Sequence, residues 1–189
     1  LEAVVDRALN IANAMPKGPV YLTLPREALA CEVSNFTYGA FAQHSDATAP
    51  FPDLNAIDEL AEVIAAAKNP MIVTSQLGNV PDAVDAVSDL AARFAIPVTQ
   101  YRPRTMNLPS AHPMHAGFNP APWIAGADVI IAVECEVPWI PRLKKPNDDC
   151  KIAHIAADPL YSGAPHRGFR ADFAITGAAD KSMQALTQA

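Results

Sequence analysis

From residue 53 onward, apolar positions change repeatedly between helical spacing and short continuous runs. Helical spacing predicts helices over 54–68, 81–94, 120–125 and 178–186. Apolar runs predict strands over 71–73, 96–99, 128–133, 152–156 and 173–175, the last at a sheet edge. Strands that are apolar on both faces and separated by helices are typical of parallel sheets covered on two sides. The pattern therefore predicts an α/β, Rossmann-like doubly wound domain over 53–189, with a mainly parallel sheet and helices on both faces.

The first fifty residues follow a different pattern. Residues 1–15 have a helical stripe, and apolar positions alternate over 20–24 between Gly18 and Pro25, which predicts a strand. A helix and strand alone are half of an α/β unit, so we interpret 1–30 as the end of a separate domain. Residues 31–52 show no sustained period and are interpreted as an extended interdomain connector. Four aromatics are expected to hold it against a surface: Phe36, Tyr38, Phe41 and Phe51.

Composition narrows the possible partners. The chain has 189 residues, half of them hydrophobic, which is enough for one sizeable core. Its net charge is −6 without a basic run, which argues against nucleic-acid and anionic-membrane partners. We see no apolar stretch of membrane-spanning length and no signal peptide, and three cysteines without a CxxC pair favour a cytoplasmic protein. A start at Leu1 within a helical pattern favours a piece of a longer chain.

Two groups of motifs resemble thiamine-diphosphate-dependent enzymes of the acetolactate synthase and 2-oxo acid decarboxylase group. The string GPVYLTLPRE over 18–27 is similar to the end of the first, pyrimidine-binding domain of those enzymes. Five later strings follow their middle domain in order: NPMIVTSQLGN, LAARFAIPVTQ, HPMHAGF, GADVIIAVECEVPW and KIAHIAADP. The resemblance covers nearly the whole chain. It implies a tail of the first domain over 1–30, a connector over 31–52 and the central domain over 53–189.

The resemblance also implies where the chemistry takes place. The parent enzyme would decarboxylate or ligate 2-oxo acids with thiamine diphosphate and Mg²⁺. In that family the activating Glu belongs to the early first domain, and the Gly-Asp-Gly segment for magnesium and diphosphate belongs to the third. Neither is found here. We therefore expect a scaffold fragment without catalytic or metal-binding residues. Its partners would be the missing pyrimidine-binding and diphosphate-binding domains of the same chain, in a homodimer or homotetramer.

Some relatives bind FAD or ADP in the middle domain, so the predicted crevice at the carboxyl edge of the sheet matters. After the first strand the family often has a glycine run, where this chain has Ser75, Gln76 and a single glycine, Gly78. After the strongest strand the family often has Gly-Ala-Arg, where this chain has Glu134-Cys135-Glu136. Carboxylates there would repel a diphosphate.

Relatives also often carry an acidic residue before the Asp-Pro turn that can bind a ribose. This chain has Ala156 and Ala157 there, so only Asp158 remains as an acidic residue. The sequence therefore favours an empty crevice. Two alternatives remain open. The domain would hold FAD, ADP or the adenine end of CoA, or the chain would be a free-standing NAD-binding oxidoreductase. The lack of any Gly-x-Gly-x-x-Gly argues against the second.

The charged candidates each have two interpretations. In one interpretation Glu134 and Glu136 form a polar or cation-binding site. In the other they pair with the basic residues of their own loop, Arg142, Lys144 or Lys145. Arg102 and Arg104 hold a phosphate or carboxylate, or they close a salt-bridge network with Glu134, Glu136 and Asp158. We favour the paired interpretation in both cases.

The remaining reactive side chains are expected to be structural. Cys135 lies between two glutamates, whose negative charge would raise the pKa of its thiol. His112 and His115 are three residues apart but lack an evident third metal ligand. His154 is expected in the core and Trp139 in loop packing, and His166, beside Arg167, on a solvated loop.

Overall fold

The computed structural model describes residues 2–35, 47–165 and 168–189. The chain divides into two compact units, Leu1–Ala49 and Pro50–Ala189. Five residues with sequence-based predictions lie outside the described residues: Phe36, Tyr38, Phe41, His166 and Arg167.

The first unit contains two helices, α1 (Glu2–Asn13) and α2 (Arg26–Leu29), among its described residues. The predicted helix is confirmed, although none of the residues of α1 is buried. The strand predicted over 20–24 is wrong, because residues 17–25 contain no strand. A strand is stabilised by its neighbours, and Val20, Leu22 and Leu24 are all exposed here. The short helix α2 was not predicted.

The second unit is a parallel α/β domain. Its elements in chain order are α3 (Leu54–Ala66), β1 (Pro70–Thr74), α4 (Pro81–Phe94), β2 (Val98–Gln100), α5 (Ala121–Ile124), β3 (Val129–Val133), β4 (Lys151–Ala156), β5 (Phe173–Thr176) and α6 (Ala179–Gln188). Among the described residues the strand order is β2-β1-β3-β4-β5, and each neighbouring pair is parallel. The predicted fold class is confirmed, and the sequence located each of these elements to within a few residues.

Local chemistry explains the ends of the longer helices. The Asp53 carboxylate accepts the Asn55 N–H at 2.9 Å and caps the start of α3. Helix α4 begins at Pro81, with Asp82 in its first turn. It ends at Ala95, whose backbone is left-handed with φ of 54° and whose N–H donates to the Ala91 carbonyl.

The two faces of the sheet carry separate apolar clusters. On one face α3, α4 and α6 pack over alternate strand residues, among them Ile72, Ile131 and Ile155. On the other face Met71 and Ile130 pack against α5 and against loop side chains that include Trp139. The predicted cover on both faces is present, but loops provide much of it on the second face.

The sheet register brings the carboxyl ends of the strands into line. Thr74 pairs with Val133, and Val133 pairs with Ile155. In this strand order the chain reverses its direction of progress between β1 and β3, which is where doubly wound domains bind ligands. We call the space bounded by residues 75–80, 134–137 and 157–162 the switch-point crevice. In the described ranges, no helix has the length and apolar character needed to cross a membrane.

Candidate functional site

Glu134 turns back into the fold at the end of β3. Its N–H donates to the Ile155 carbonyl at 3.0 Å, and its carboxylate accepts the Ala157 N–H at 3.3 Å. Ser75 donates its hydroxyl to the Glu134 carbonyl at 3.1 Å and so joins β1 to β3. Burial raises the pKa of Glu134, and the Ala157 hydrogen bond opposes that shift. Glu134 is therefore bound to backbone next to β4 rather than to the basic residues of its own loop.

The backbone of Glu134 is also left-handed, with φ of 44°. Glycine adopts this conformation most easily, and the resemblance stated above predicts a glycine at this position. This chain keeps the bend but places a carboxylate on it. A negative charge thus lies where close backbone approach to a ligand would otherwise be possible.

Glu136 and Arg104 form the ion pair that joins the loops after β3 and β2. Arg104 Nη2 lies 3.1 Å from Glu136 Oε2, and the Arg104 N–H donates to the Ser75 carbonyl at 2.8 Å. The Arg104 side chain is 63% exposed, so the pair contributes little to stability. The predicted pairing of Arg104 with Glu136 is confirmed.

The rest of the predicted salt-bridge network is arranged differently. The Arg102 guanidinium lies over the Tyr101 ring, 5.4 Å from its centroid. Lys145 pairs with Asp148 at 3.8 Å instead of with a glutamate of the crevice. Asp158 accepts the N–H and hydroxyl of Ser162 at 2.7 and 2.8 Å. The carboxylates of the crevice are therefore held mainly by local hydrogen bonds.

The turn after β1 uses its own N–H groups internally. The Leu77 and Gly78 N–H groups donate to Asn107 Oδ1 at 2.8 Å and to Thr105 Oγ1 at 3.1 Å. The next two N–H groups donate to the carbonyls of Gln76 and Leu77 at 3.2 and 2.9 Å. A phosphate-binding turn needs such donors free to point at the ligand. Here four consecutive donors are already engaged.

Asn107 organises this turn, and sequence reasoning missed it. It is fully buried and also donates Nδ2 to the Ser75 and Thr105 carbonyls at 3.2 and 2.8 Å. Thr74 Oγ1 lies 3.3 Å from its Oδ1. Its only sequence signal is a polar residue in the long loop after β2, and no periodicity marks its burial.

Gly78 has a packing role. A Cβ at this position would lie 2.7 Å from the Met106 carbonyl oxygen, which belongs to the loop that carries Asn107. Gly78 is therefore required for contact between the two loops. This contact explains Gly78 without any ligand.

Tyr161 is the second residue of the crevice that sequence reasoning missed. The negative charges of Glu134 and Glu136 and a hydrogen bond with the Cys135 backbone all act on the pKa of its phenol. Burial is the main cause that raises the pKa of this phenol, and the nearby negative charges add to it. Nothing in its flanking sequence identifies a tyrosine that interacts with residues 134–136.

The cysteine and histidine candidates have structural surroundings. Burial raises the pKa of the Cys135 thiol to about 12, so the thiol is a poor nucleophile, as predicted. Burial raises the pKa of this thiol more than the neighbouring negative charge does, whereas the prediction was based on the charge. His112 Nδ1 accepts the Met114 N–H at 3.1 Å, and the His115 ring packs edge-on against Phe118.

Trp139 is buried and packs edge-on against Phe169 at 5.2 Å, which confirms its predicted role in loop packing. His154 is buried within β4, as predicted for a core histidine. Within residues 2–35, 47–165 and 168–189, no three or more His, Cys, Asp and Glu side chains lie together as a set that could hold a metal ion.

Among the described residues, the polar groups around the switch-point crevice are acidic or already hydrogen-bonded. The switch-point crevice presents carboxylates, a buried thiol and a phenol, while the N–H groups of the turn after β1 are engaged. Diphosphate binding needs cations or free N–H donors. The one arginine that reaches the crevice, among the described residues, is the Arg104 already paired with Glu136.

Comparison with known proteins places this domain. Residues 57–186 match the family model for the central domain of thiamine pyrophosphate enzymes. The chain is 31% identical over 118 residues to the acetolactate synthase isozyme 1 large subunit of Escherichia coli K12, an alignment covering 62% of this chain and 20% of that protein.

Two solved structures extend the match to the whole chain. One is from a Mycobacterium smegmatis protein assigned as a thiamin diphosphate-dependent enzyme, with a TM-score of 0.76 and 26% identity. The other, with a TM-score of 0.70 and 19% identity, is the benzoylformate decarboxylase of Polynucleobacter necessarius, a likeness of fold alone. Both alignments cover 100% of this chain, but only 37% and 36% of those proteins.

The chain thus spans between a fifth and about two fifths of the relatives it matches. The predicted resemblance is confirmed by the family model, by the curated relative and by the fold. This chain belongs to the family of thiamine pyrophosphate enzyme central domains.

Proposed function

We propose that this chain is the scaffold domain of a thiamine-diphosphate-dependent, acetolactate synthase-like enzyme that acts on 2-oxo acids by carboligation or decarboxylation. Thiamine diphosphate and Mg²⁺ are held by the pyrimidine-binding and diphosphate-binding domains of the same enzyme. The family membership and the identity to an acetolactate synthase large subunit support this proposal. Catalysis depends on positioning, so a domain that fixes the separation of two catalytic domains contributes without touching substrate.

One observation carries the scaffold role. The four consecutive N–H groups of Leu77 to Val80 are engaged by Asn107, Thr105 and turn carbonyls. A nucleotide phosphate would have to displace these hydrogen bonds, and leaving buried donors or acceptors without partners costs roughly 1–3 kcal/mol each. The proposal therefore excludes FAD, ADP and the adenine end of CoA from the crevice.

The charge of the crevice supports the same conclusion. Glu134 and Glu136 follow β3, and an added diphosphate would lie among like charges there. The proposal also includes a cytoplasmic homodimer or homotetramer, in which the central domain provides surface for assembly.

Titration calorimetry with ADP and with FAD tests the proposal directly. We expect no heat of binding from the wild-type chain at millimolar nucleotide. The matched variant Glu134→Gly with Glu136→Arg removes both carboxylates, supplies a cation and keeps the left-handed bend. Weak binding by this variant alone would identify charge as the barrier.

Saturable binding of ADP or FAD by the wild-type chain at micromolar concentration would contradict the scaffold role and favour a nucleotide-binding module. A change in NADH fluorescence on mixing with the chain would favour the oxidoreductase alternative instead.

A further inference from the structure

A cavity of about 640 Å³ lies at the amino edge of the sheet, the edge opposite to the switch-point crevice. The C-terminal halves of α3, α4 and α6 form its walls, together with Ile96 just before β2. All of its lining residues belong to the α/β domain. Small-molecule sites in proteins typically have volumes of about 300–1,000 Å³, so this cavity has the size of a ligand site.

The inner wall of the cavity is apolar. Leu90, Ile96 and Leu186 line it and are buried in the core of the domain. Phe94 also lines it, and its side chain is 52% exposed. Ligand sites are lined mainly by apolar and aromatic side chains, with a few polar groups that orient the ligand. This wall therefore suits the apolar body of a small molecule.

Two carboxylates form the acidic rim of the cavity. Asp58 and Glu62 both line it and are exposed, and their four-residue spacing places them on the same side of α3. The helix contains no basic residue, and neither carboxylate forms an ion pair with any residue that the structure describes. Like charges at this spacing destabilise a helix, so a cation between them would be favoured.

The ends of two helices add negative potential at the same place. Helix α3 ends at Ala66 without a basic residue in its last turn, and α4 ends at Phe94. The C-terminus of a helix carries a partial negative charge, which favours a nearby cation. Arg93, in the last turn of α4, is already paired with the Asp89 carboxylate at 3.8 Å and lies over the Phe94 ring. Its charge is therefore partly compensated.

We propose that this cavity binds a small amphipathic cation, a molecule with an apolar body and one ammonium group. The apolar body contacts Leu90, Ile96 and Leu186, and the ammonium group lies beside Asp58 and Glu62. An anion with the same apolar body meets two carboxylates and two negative helix ends, so it is rejected. The proposal goes beyond the scaffold role and does not depend on it, because the cavity and the switch-point crevice lie at opposite edges of the sheet.

Titration calorimetry with 4-phenylbutylamine, 4-phenylbutanol and 4-phenylbutyrate tests the proposal, because the three probes share one apolar body and differ in charge. We expect saturable binding of the amine by the wild-type chain at millimolar concentration, binding of the alcohol that is weaker by roughly fivefold, and no binding of the carboxylate. The variant Asp58→Asn with Glu62→Gln should bind the amine only as well as the alcohol. The matched control Glu59→Gln with Asp85→Asn removes two exposed carboxylates that do not line the cavity, and it should keep the preference for the amine.

A second pair of variants locates the site. Ala65 is exposed and lines the cavity, so the indole ring of Ala65→Trp fills part of the space and should abolish binding of the amine. Ala66→Trp, at the next exposed position and outside the cavity lining, should bind the amine like wild type.

Equal binding of the amine and the carboxylate by wild type would overturn the proposal. So would unchanged amine binding after the loss of both rim carboxylates or in a folded Ala65→Trp, and so would the absence of saturable amine binding by wild type at millimolar concentration. ADP binding by wild type would contradict the scaffold role and leave these results unchanged.

Discussion

Backbone strain gathers at the carboxyl ends of the strands. Arg102, Glu134 and Tyr161 have φ of 48°, 44° and 50°, and they follow β2, β3 and β4 respectively. A left-handed residue other than glycine costs roughly 1–2 kcal/mol. Glu134 offsets part of this cost with the hydrogen bond that its carboxylate accepts from the Ala157 N–H. The edge that binds ligands in related architectures therefore carries backbone strain in this chain.

Asn107→Ala should be the most damaging single substitution at this edge. It removes a fully buried amide and leaves the Leu77 N–H and the Ser75 carbonyl without their side-chain partner. We expect a loss of about 3 kcal/mol in the free energy of unfolding, measured by urea denaturation. Asn55→Ala, at an exposed position of α3, is the matched control and should change it by less than about 0.5 kcal/mol. Similar effects of both substitutions would contradict the role of Asn107.

His154 should make stability depend on pH. Burial lowers its pKa, while a hydrogen bond with the Arg170 backbone opposes that shift, and its Nε2 has no hydrogen-bond partner within the described part of the chain. The unfolded chain then takes up the proton more readily than the folded one. Stability is therefore complete above the ordinary histidine pKa of about 6.5 and falls as pH decreases below it.

Urea unfolding of wild type and His154→Gln between about pH 5 and 7.5 isolates this effect, because Glu134, whose pKa is raised by burial, contributes equally to both proteins. Burial raises the pKa values of Asp128 and Asp172, but amide hydrogen bonds outweigh it and hold both below the ordinary value, so their contributions are lost only in stronger acid. We expect the wild type to lose more stability than His154→Gln between these limits. Parallel curves for the two proteins would show that folding leaves the pKa of His154 unchanged, which would contradict the prediction.

Helices and strands that depend on the local pattern of residues were predictable from the sequence. A strand that depends on pairing with a neighbouring strand was not. The apolar run of β3 and the capped start of α3 identify themselves in the sequence, because burial on both faces and an aspartate cap leave direct signals. The alternation over 20–24 predicted a strand that the structure lacks. Alternating apolar residues form a strand only when a neighbouring strand pairs with them. Among the described residues no strand pairs with residues 20–24.

The end of α4 offers a stabilising substitution. Ala95 terminates the helix with φ of 54° and ψ of 39°, a conformation in which glycine is favoured. Ala95→Gly should raise the free energy of unfolding by about 1 kcal/mol. The matched control is Ala125→Gly at the end of α5, where φ is −69° and the backbone is right-handed. There glycine should destabilise, so the same sign at both positions would contradict the explanation.

At the scale of the whole chain, the sequence predicted the charge and glycine content of the candidate site but not the contacts within it. The sequence indicated an acidic, glycine-poor crevice, because Glu134 and Glu136 stand at motif positions that often hold glycine and arginine. It did not reveal that Asn107 engages the turn after β1, or that the charges of Glu134 and Glu136 act on Tyr161. Both residues lie in long loops, where no periodicity specifies which tertiary contacts a polar or aromatic side chain makes.

The division into two units predicts that residues 50–189 fold without the preceding residues. Among the described residues, the members of the apolar clusters on both faces of the sheet come from this unit. In the first unit α1 has 12 residues and buries none of them, and isolated helices of that length are marginal in water. A chain of residues 50–189 should therefore melt within about 2 °C of the full chain, since its buried apolar area is intact. Circular dichroism of a peptide of residues 1–49 should show little helix. A melting temperature lowered by more than about 5 °C, a shift of order 1 kcal/mol, would show that the core depends on residues outside the α/β domain.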